Sequence, residues 1–214
     1  MDSPSPAAVT FVTTEHFTLQ GARAATIAES TGRATMFLAT VSGGLVALGL
    51  VATATHVGTA FYAFGLVLLP TLTFVGLVTF ERALQTGVED YGYARRIALL
   101  RSYYFDNAPE LLSYLMSVPA AERLRAQGLQ AGRWQGLRTV AGMVGVITAV
   151  LAGSSAALLC AVIFDHELTP ALIVGALVAA PGLMALMRFQ AAAWKRASMA
   201  PFTADALDEP RTED

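Results

Sequence analysis

The chain has one lysine, one cysteine and three histidines among its 214 residues. A single cysteine, Cys160, leaves no internal disulfide and no multi-cysteine zinc or iron–sulfur site. No phosphate-cradling glycine loop and no HExxH occurs, and no Cys or Ser nucleophile has a base nearby. These absences predict a protein with no cofactor and no bound metal that is not an enzyme. Charged residues are 14% of the chain, against about 25% in ordinary soluble domains, and the deficit points to a membrane class. The net charge of −2 argues against nucleic acid as a partner, because such binding draws on excess positive charge. The first 34 residues lack the basic start and early apolar core of a secretory signal. The first apolar stretch is therefore expected to be a retained anchor.

What is abundant is apolar, at 55% of residues. Thr35–Thr55, Thr59–Phe80, Thr139–Phe164 and Leu168–Met187 each have at least 20 residues and no Asp, Glu, Lys, Arg or His. At about 1.5 Å per helical residue, 20 residues reach roughly 30 Å, the hydrocarbon thickness of a bilayer. The expectation is an all-α membrane protein. Its four transmembrane helices form two hairpins, 35–80 and 139–187, separated by a helical cytoplasmic insert, 81–138. Residues 1–34 form a partly helical cytoplasmic segment and 188–214 a largely disordered cytoplasmic tail. The connections His56-Val57-Gly58 and Asp165-His166-Glu167 are short enough to force antiparallel neighbours. All 14 basic residues fall in 1–34, 81–138 and 188–214. By the positive-inside rule these segments are cytoplasmic, and Trp134 and Trp194 sit at the inner interface. Arginine outnumbers lysine 13 to one and alanine and glycine abound, a composition suited to a GC-rich bacterial genome. The expected location is a bacterial inner (plasma) membrane, with the chain multi-pass and both termini inside.

Outside the spans, Thr14–Arg33 reads as a helix with Thr13 or Thr14 as cap, running toward or into span one and weakened by Gly21 and Gly32. The three- and four-residue spacing of Leu84, Val88 and Tyr91, and then of Tyr93, Ile97, Leu100 and Tyr104, continues span two as a helix to about Tyr104. Shorter helices are expected over 108–116 and from Pro119 to about Gln127.

Within the spans, Ala141, Gly145, Ala149, Gly153 and Ala157 place a small residue at every fourth position of span three. Small residues let helix backbones approach closely in lipid. The row is read as a helix-packing face within the chain, an oligomer interface or a pore lining. Pro70 and Pro181-Gly182 are kink positions. No ionisable side chain lies near a bilayer midplane, which argues against proton-coupled transport and voltage sensing. A passive pore lined by Thr148, Ser154 and Ser155 stays open. His56 with Asp165, His166 and Glu167 is a weak zinc candidate, more simply read as solvated loop residues. In the insert, Arg95, Arg96 and Arg101 with Tyr93 and Tyr104 are candidate contacts for an anionic lipid or a protein partner; the plainer reading is an amphipathic bundle whose Tyr rings pack at the core edge and whose arginines pair with Glu89 and Asp90 between helices.

The strings Thr14-Glu15-His16-Phe17-Thr18-Leu19-Gln20 and Val88-Glu89-Asp90-Tyr91-Gly92-Tyr93-Ala94-Arg95, with Arg101-Ser102-Tyr103-Tyr104 and Pro109-Glu110 after them, resemble an uncharacterised family of bacterial four-span membrane proteins. The resemblance covers about residues 14–130 and implies a topology without implying an activity. Two functions fit the whole pattern. One is a non-enzymatic membrane scaffold or regulator that presents the 81–138 insert to a partner. The other is a small homo-oligomeric passive channel lined by small and hydroxyl residues.

Overall fold

The computed structural model describes residues 5–107, 135–164 and 167–199. Among these the chain is all helical: α1 (Pro6–Thr55), α2 (Thr59–Asn107), a 3₁₀ turn (Gln135–Arg138), α3 (Val140–Ile163) and α4 (Leu168–Met199). All four long helices are apolar and long enough to cross a membrane. The expected helices over 108–116 and 119–127, Trp134, and the loop residues Asp165 and His166 lie outside the described residues, as do residues 200–214.

α1 starts at Ser5 and Pro6 rather than at Thr13 or Thr14. Ser5 has extended backbone and its hydroxyl accepts the Ala8 N–H at 3.2 Å. Pro6, at the first helical position, sacrifices no intrahelical bond. The threonines that looked like caps lie inside the helix instead. Thr13 donates to the Val9 carbonyl at 2.8 Å and Thr14 to the Thr10 carbonyl at 2.9 Å, which satisfies each hydroxyl within the helix. Gly21 and Gly32 do not interrupt it. The helix closes on two left-handed residues, His56 (φ 48°) and Val57 (φ 56°), followed by Gly58. α2 passes through Pro70 without ending and runs on to Asn107. The tail expected from Arg188 begins as helix, since α4 continues to Met199.

The helices form an open row. α1 packs on α2, α2 on α3 and α3 on α4, while α1 and α4 do not meet among the described residues. The core lies along the two inner helices and joins Phe37 and Val41 of α1 to Leu69, Leu72 and Phe80 of α2 and to Val144 and Leu151 of α3. Between helices in lipid such contacts hold by van der Waals packing, so close approach matters. A Cβ at Gly44 would lie 3.1 Å from Leu72, and one at Gly76 would press on Phe37 and Thr148.

α1 has 50 residues and α2 has 49. Each is therefore about 75 Å long, while a bilayer core of about 30 Å accommodates fewer than half of either. The two run antiparallel with matched ends: Leu48 lies by Gly65 and Phe37 by Gly76, Glu29 pairs with Arg82 and Arg23 with Asp90. Beyond Phe80 the pair continues as a two-helix stalk, with Leu19 and Ile97 each 5% exposed inside it.

Candidate functional site on the stalk

The stalk is zipped by charge where α1 and α2 leave the apolar stretches. Arg23 donates to both Asp90 oxygens, at 2.7 and 3.4 Å. Arg82 donates to both Glu29 oxygens, at 3.0 and 3.3 Å. Arg33 reaches the same carboxylate at 3.0 Å, and Arg82 also faces Glu89 at 3.9 Å. The Arg82 hydrogen bond, followed by that of Arg33, holds the Glu29 carboxyl below its ordinary value of 4.5. Glu29 in return holds the Arg82 guanidinium more firmly protonated. Two-point arginine–carboxylate pairs fix orientation as well as charge, so they set the register of α1 on α2. The sequence pattern leads one to expect arginines paired with Glu89 and Asp90 between helices, but it does not name the partners. Arg23 and Asp90 are far apart in the chain, and only the antiparallel register brings them together.

The candidate contact residues sit farther out on α2. Arg95 lies over the Tyr91 ring, 5.9 Å from its centroid. Arg96 is exposed, while Tyr93 and Arg101 are half-buried. Tyr104 is helical, with its side chain outside the described part. By helix rise, Arg95 stands about 22 Å beyond Phe80 along the axis.

A groove of about 490 Å³ opens lower on the stalk, between α2 and the end of α4. Leu84, Val88, Phe189 and Ala193 give it apolar walls, and Glu81, Glu89 and Arg196 charge its rim. Trp194 of α4 packs against α2. Its ring lies 3.4 Å from where a Gly87 Cβ would be, and it meets Tyr91 edge-on at 5.9 Å. Gly87 is therefore the small residue that lets an indole lie against α2. Next to it, Gln190 is 2% exposed. Its Nε2 donates to the Gly136 carbonyl and to Thr139 Oγ1, both at 3.0 Å. Thr139 in turn caps α3, accepting the Gly142 N–H at 3.0 Å. Gln190 thus ties the end of span four to the start of span three. A lone glutamine just past an apolar run carries no sequence signal of that role.

The small-residue row of α3 faces the other helices of the same chain. Ala141, Gly145, Ala149 and Gly153 are buried and Ala157 is half-buried. A Cβ at Gly145 would meet Phe80 at 3.2 Å and Met187 at 3.3 Å. One at Gly153 would lie 2.6 Å from the Gly175 carbonyl oxygen and 2.8 Å from Ala179 Cβ, and one at Gly175 would lie 3.0 Å from Ala157. Thr148 is 1% exposed and its hydroxyl donates to Val144 at 2.8 Å. It is enclosed within the row, in contact with the inner face of α2. Ser154 is exposed, and Ser155 donates to the Leu151 carbonyl at 2.8 Å.

Comparison with protein-family models, with curated proteins and with solved structures finds no match for this chain.

Proposed function

We propose that this is a non-enzymatic scaffold or regulatory protein of the bacterial inner membrane, kin to the uncharacterised four-span family that its sequence resembles. In this view the chain crosses the bilayer as two hairpins. Both termini and residues 81–138 are cytoplasmic, and the stalk with the insert is the surface offered to a protein partner. One observation carries it: α1 and α2 continue together far past bilayer thickness, and the continuation is bridged by Arg23–Asp90 and Glu29–Arg82. An anchor alone needs no such extension.

The height of the arginines bears on the kind of partner. Basic residues near a membrane surface contribute about 1 kcal/mol each toward anionic lipid, and the effect fades within a Debye length of about 8 Å. Arg95 and Arg96, about 22 Å out by helix rise, suit a protein surface better than headgroups of their own bilayer. Pull-down with the full chain in detergent tests this. Arg95→Ala with Arg96→Ala is expected to lose the captured partner and to leave anionic-liposome binding nearly unchanged. Ion or dye release by the purified protein in liposomes, without partner capture, would replace the scaffold by the passive channel.

A further inference from the structure

The groove between α2 and α4 has apolar walls that nothing among the described residues fills. Phe189, in the wall, is 50% exposed. The rim is acidic on balance. Glu81 accepts from the neutral Gln85 amide at 3.4 Å, and Glu89 faces Arg82 at 3.9 Å. Arg196, the one cation among the lining residues, donates to the Ala192 carbonyl of its own helix at 3.3 Å. Two carboxylates therefore set the sign of the opening.

The course of the chain decides what comes to this place. It leaves α2 at Asn107 and is next described at Gln135. Trp194 lies level with Gly87, about 30 Å short of Asn107 by helix rise. Gln190, which holds the Gly136 carbonyl, is about 6 Å nearer the spans. Residues 108–134 therefore come back about 36 Å, from the tip of the stalk to its base. A helix of 27 residues, the length of that segment, reaches about 40 Å. Its last residues arrive beside Gln190, between the groove residues Phe189 and Ala193 in α4. Their chemistry complements the groove. Residues 120–134 carry Leu124 and Leu129, with Arg123, Arg125 and Arg133 against Glu122 alone. Residues 200–214 also start close by, but they carry five acidic residues against Arg211 and would meet like charge. A buried acceptor points the same way. Gln190 Oε1 accepts no hydrogen bond among the described residues, and such groups call for a donor. Arg133 and Trp134 bring N–H donors to within two residues of Gln135.

We propose that residues 120–134 return along the stalk and seat Leu124 and Leu129 in the groove, with Arg123 and Arg125 against Glu81 and Glu89. The groove then belongs to the chain itself, and the insert is fastened to the base of the stalk. This seating does not depend on the scaffold reading, and disulfide cross-linking within the full chain in detergent tests it. In a Cys160→Ala background, Val88→Cys with Leu124→Cys, or Ala193→Cys with Leu129→Cys, is expected to form a disulfide within one chain, because only close Cα atoms can be bridged. Phe17→Cys with Leu124→Cys is the control and is expected to give none, since Phe17 is exposed on α1 of the stalk. Arg123→Glu with Arg125→Glu is expected to cut the cross-link about tenfold. Adding Glu81→Arg with Glu89→Arg is expected to restore it, which a merely misfolded variant would not do. No disulfide with either groove pair, equal cross-linking through Phe17→Cys, disulfides only between chains (a second copy as occupant), or a charge reversal without effect or without rescue overturns the proposal.

Discussion

Adding one methyl group at Gly153 tests how closely α3 and α4 approach. The new Cβ of Gly153→Ala would lie 2.6 Å from the Gly175 carbonyl oxygen and 2.8 Å from Ala179 Cβ. The oxygen belongs to backbone and cannot swing aside, so the helices must separate. Overpacking of this kind costs about 1–3 kcal/mol, and the helix gains about 0.5–1 kcal/mol when alanine replaces glycine. The net expectation is a loss of about 1–2 kcal/mol. Gly182→Ala is the matched control: it lies in α4 with nothing within 4 Å, so only the gain remains. Gly145→Ala falls between them, since its neighbours are the Phe80 ring and the mobile end of Met187, at 3.2 and 3.3 Å. The protein carries its own probe, because Cys160 on α3 is 5% exposed and reacts with a thiol dye only when the helices part. At about 2–4 °C per kcal/mol for a chain of this size, Gly153→Ala should melt about 2–8 °C below the parent and Gly182→Ala up to about 4 °C above it. If Gly153→Ala is as stable as Gly182→Ala, α3 and α4 are not in backbone contact and the packing described here is wrong.

Gln190→Ala should lower the same transition by about 1–3 kcal/mol, because it removes a buried side chain and its two hydrogen bonds between α4 and the start of α3; an unchanged melt would mean that water replaces the amide. Val57→Gly should raise it by about 1 kcal/mol, since a β-branched residue at φ 56° is strained where glycine is not, and a lower melting temperature would contradict that strain. Lowering pH should loosen the stalk late. Glu29 has its folded value depressed below 4.5, so its contribution is present above pH 4.5 and is lost as pH falls through the folded value. Spin labels on α1 and α2 of the stalk should therefore hold their separation down to about pH 4.5 and then diverge, whereas Glu29→Gln should abolish that step. Divergence already at neutral pH in the parent chain would refute the assignment.

The four apolar helices were legible because a bilayer imposes a length and excludes charge, and both leave marks on consecutive residues. The run of α2 past Phe80 was legible for a related reason: Leu84, Val88 and Tyr91 repeat at helical spacing. What was not legible depends on register between helices. Nothing local in Arg23 points to Asp90, and nothing in Gln190 points to Gly136. The threonines misled in two ways. Thr13 and Thr14 looked like caps because the start at Ser5-Pro6 lies outside the periodic pattern. Thr148 looked like a pore-lining hydroxyl because a sequence does not say which face of an apolar helix is inward. The row from Ala141 to Ala157 was visible as a pattern, but whether it met its own chain or another was not, and Gly145 against Phe80 supplies what the spacing alone lacked.

The continuity of α2 has a mechanical consequence. One unbroken helix carries both span two and the outer part of the stalk, so the two share an axis and transmit rotation without a joint between them. From Phe80 to Asn107 the helix extends about 40 Å. A tilt of span two by about 10° therefore swings the stalk tip sideways by about 7 Å over that length, more than the full pitch of a helix turn. Arg23–Asp90 and Glu29–Arg82 make α1 travel with it. If span two lies in a bilayer as proposed, its end of the molecule is the short arm of a lever, and a tilt too small to disturb the core around Phe37 and Leu72 would be magnified at the stalk tip.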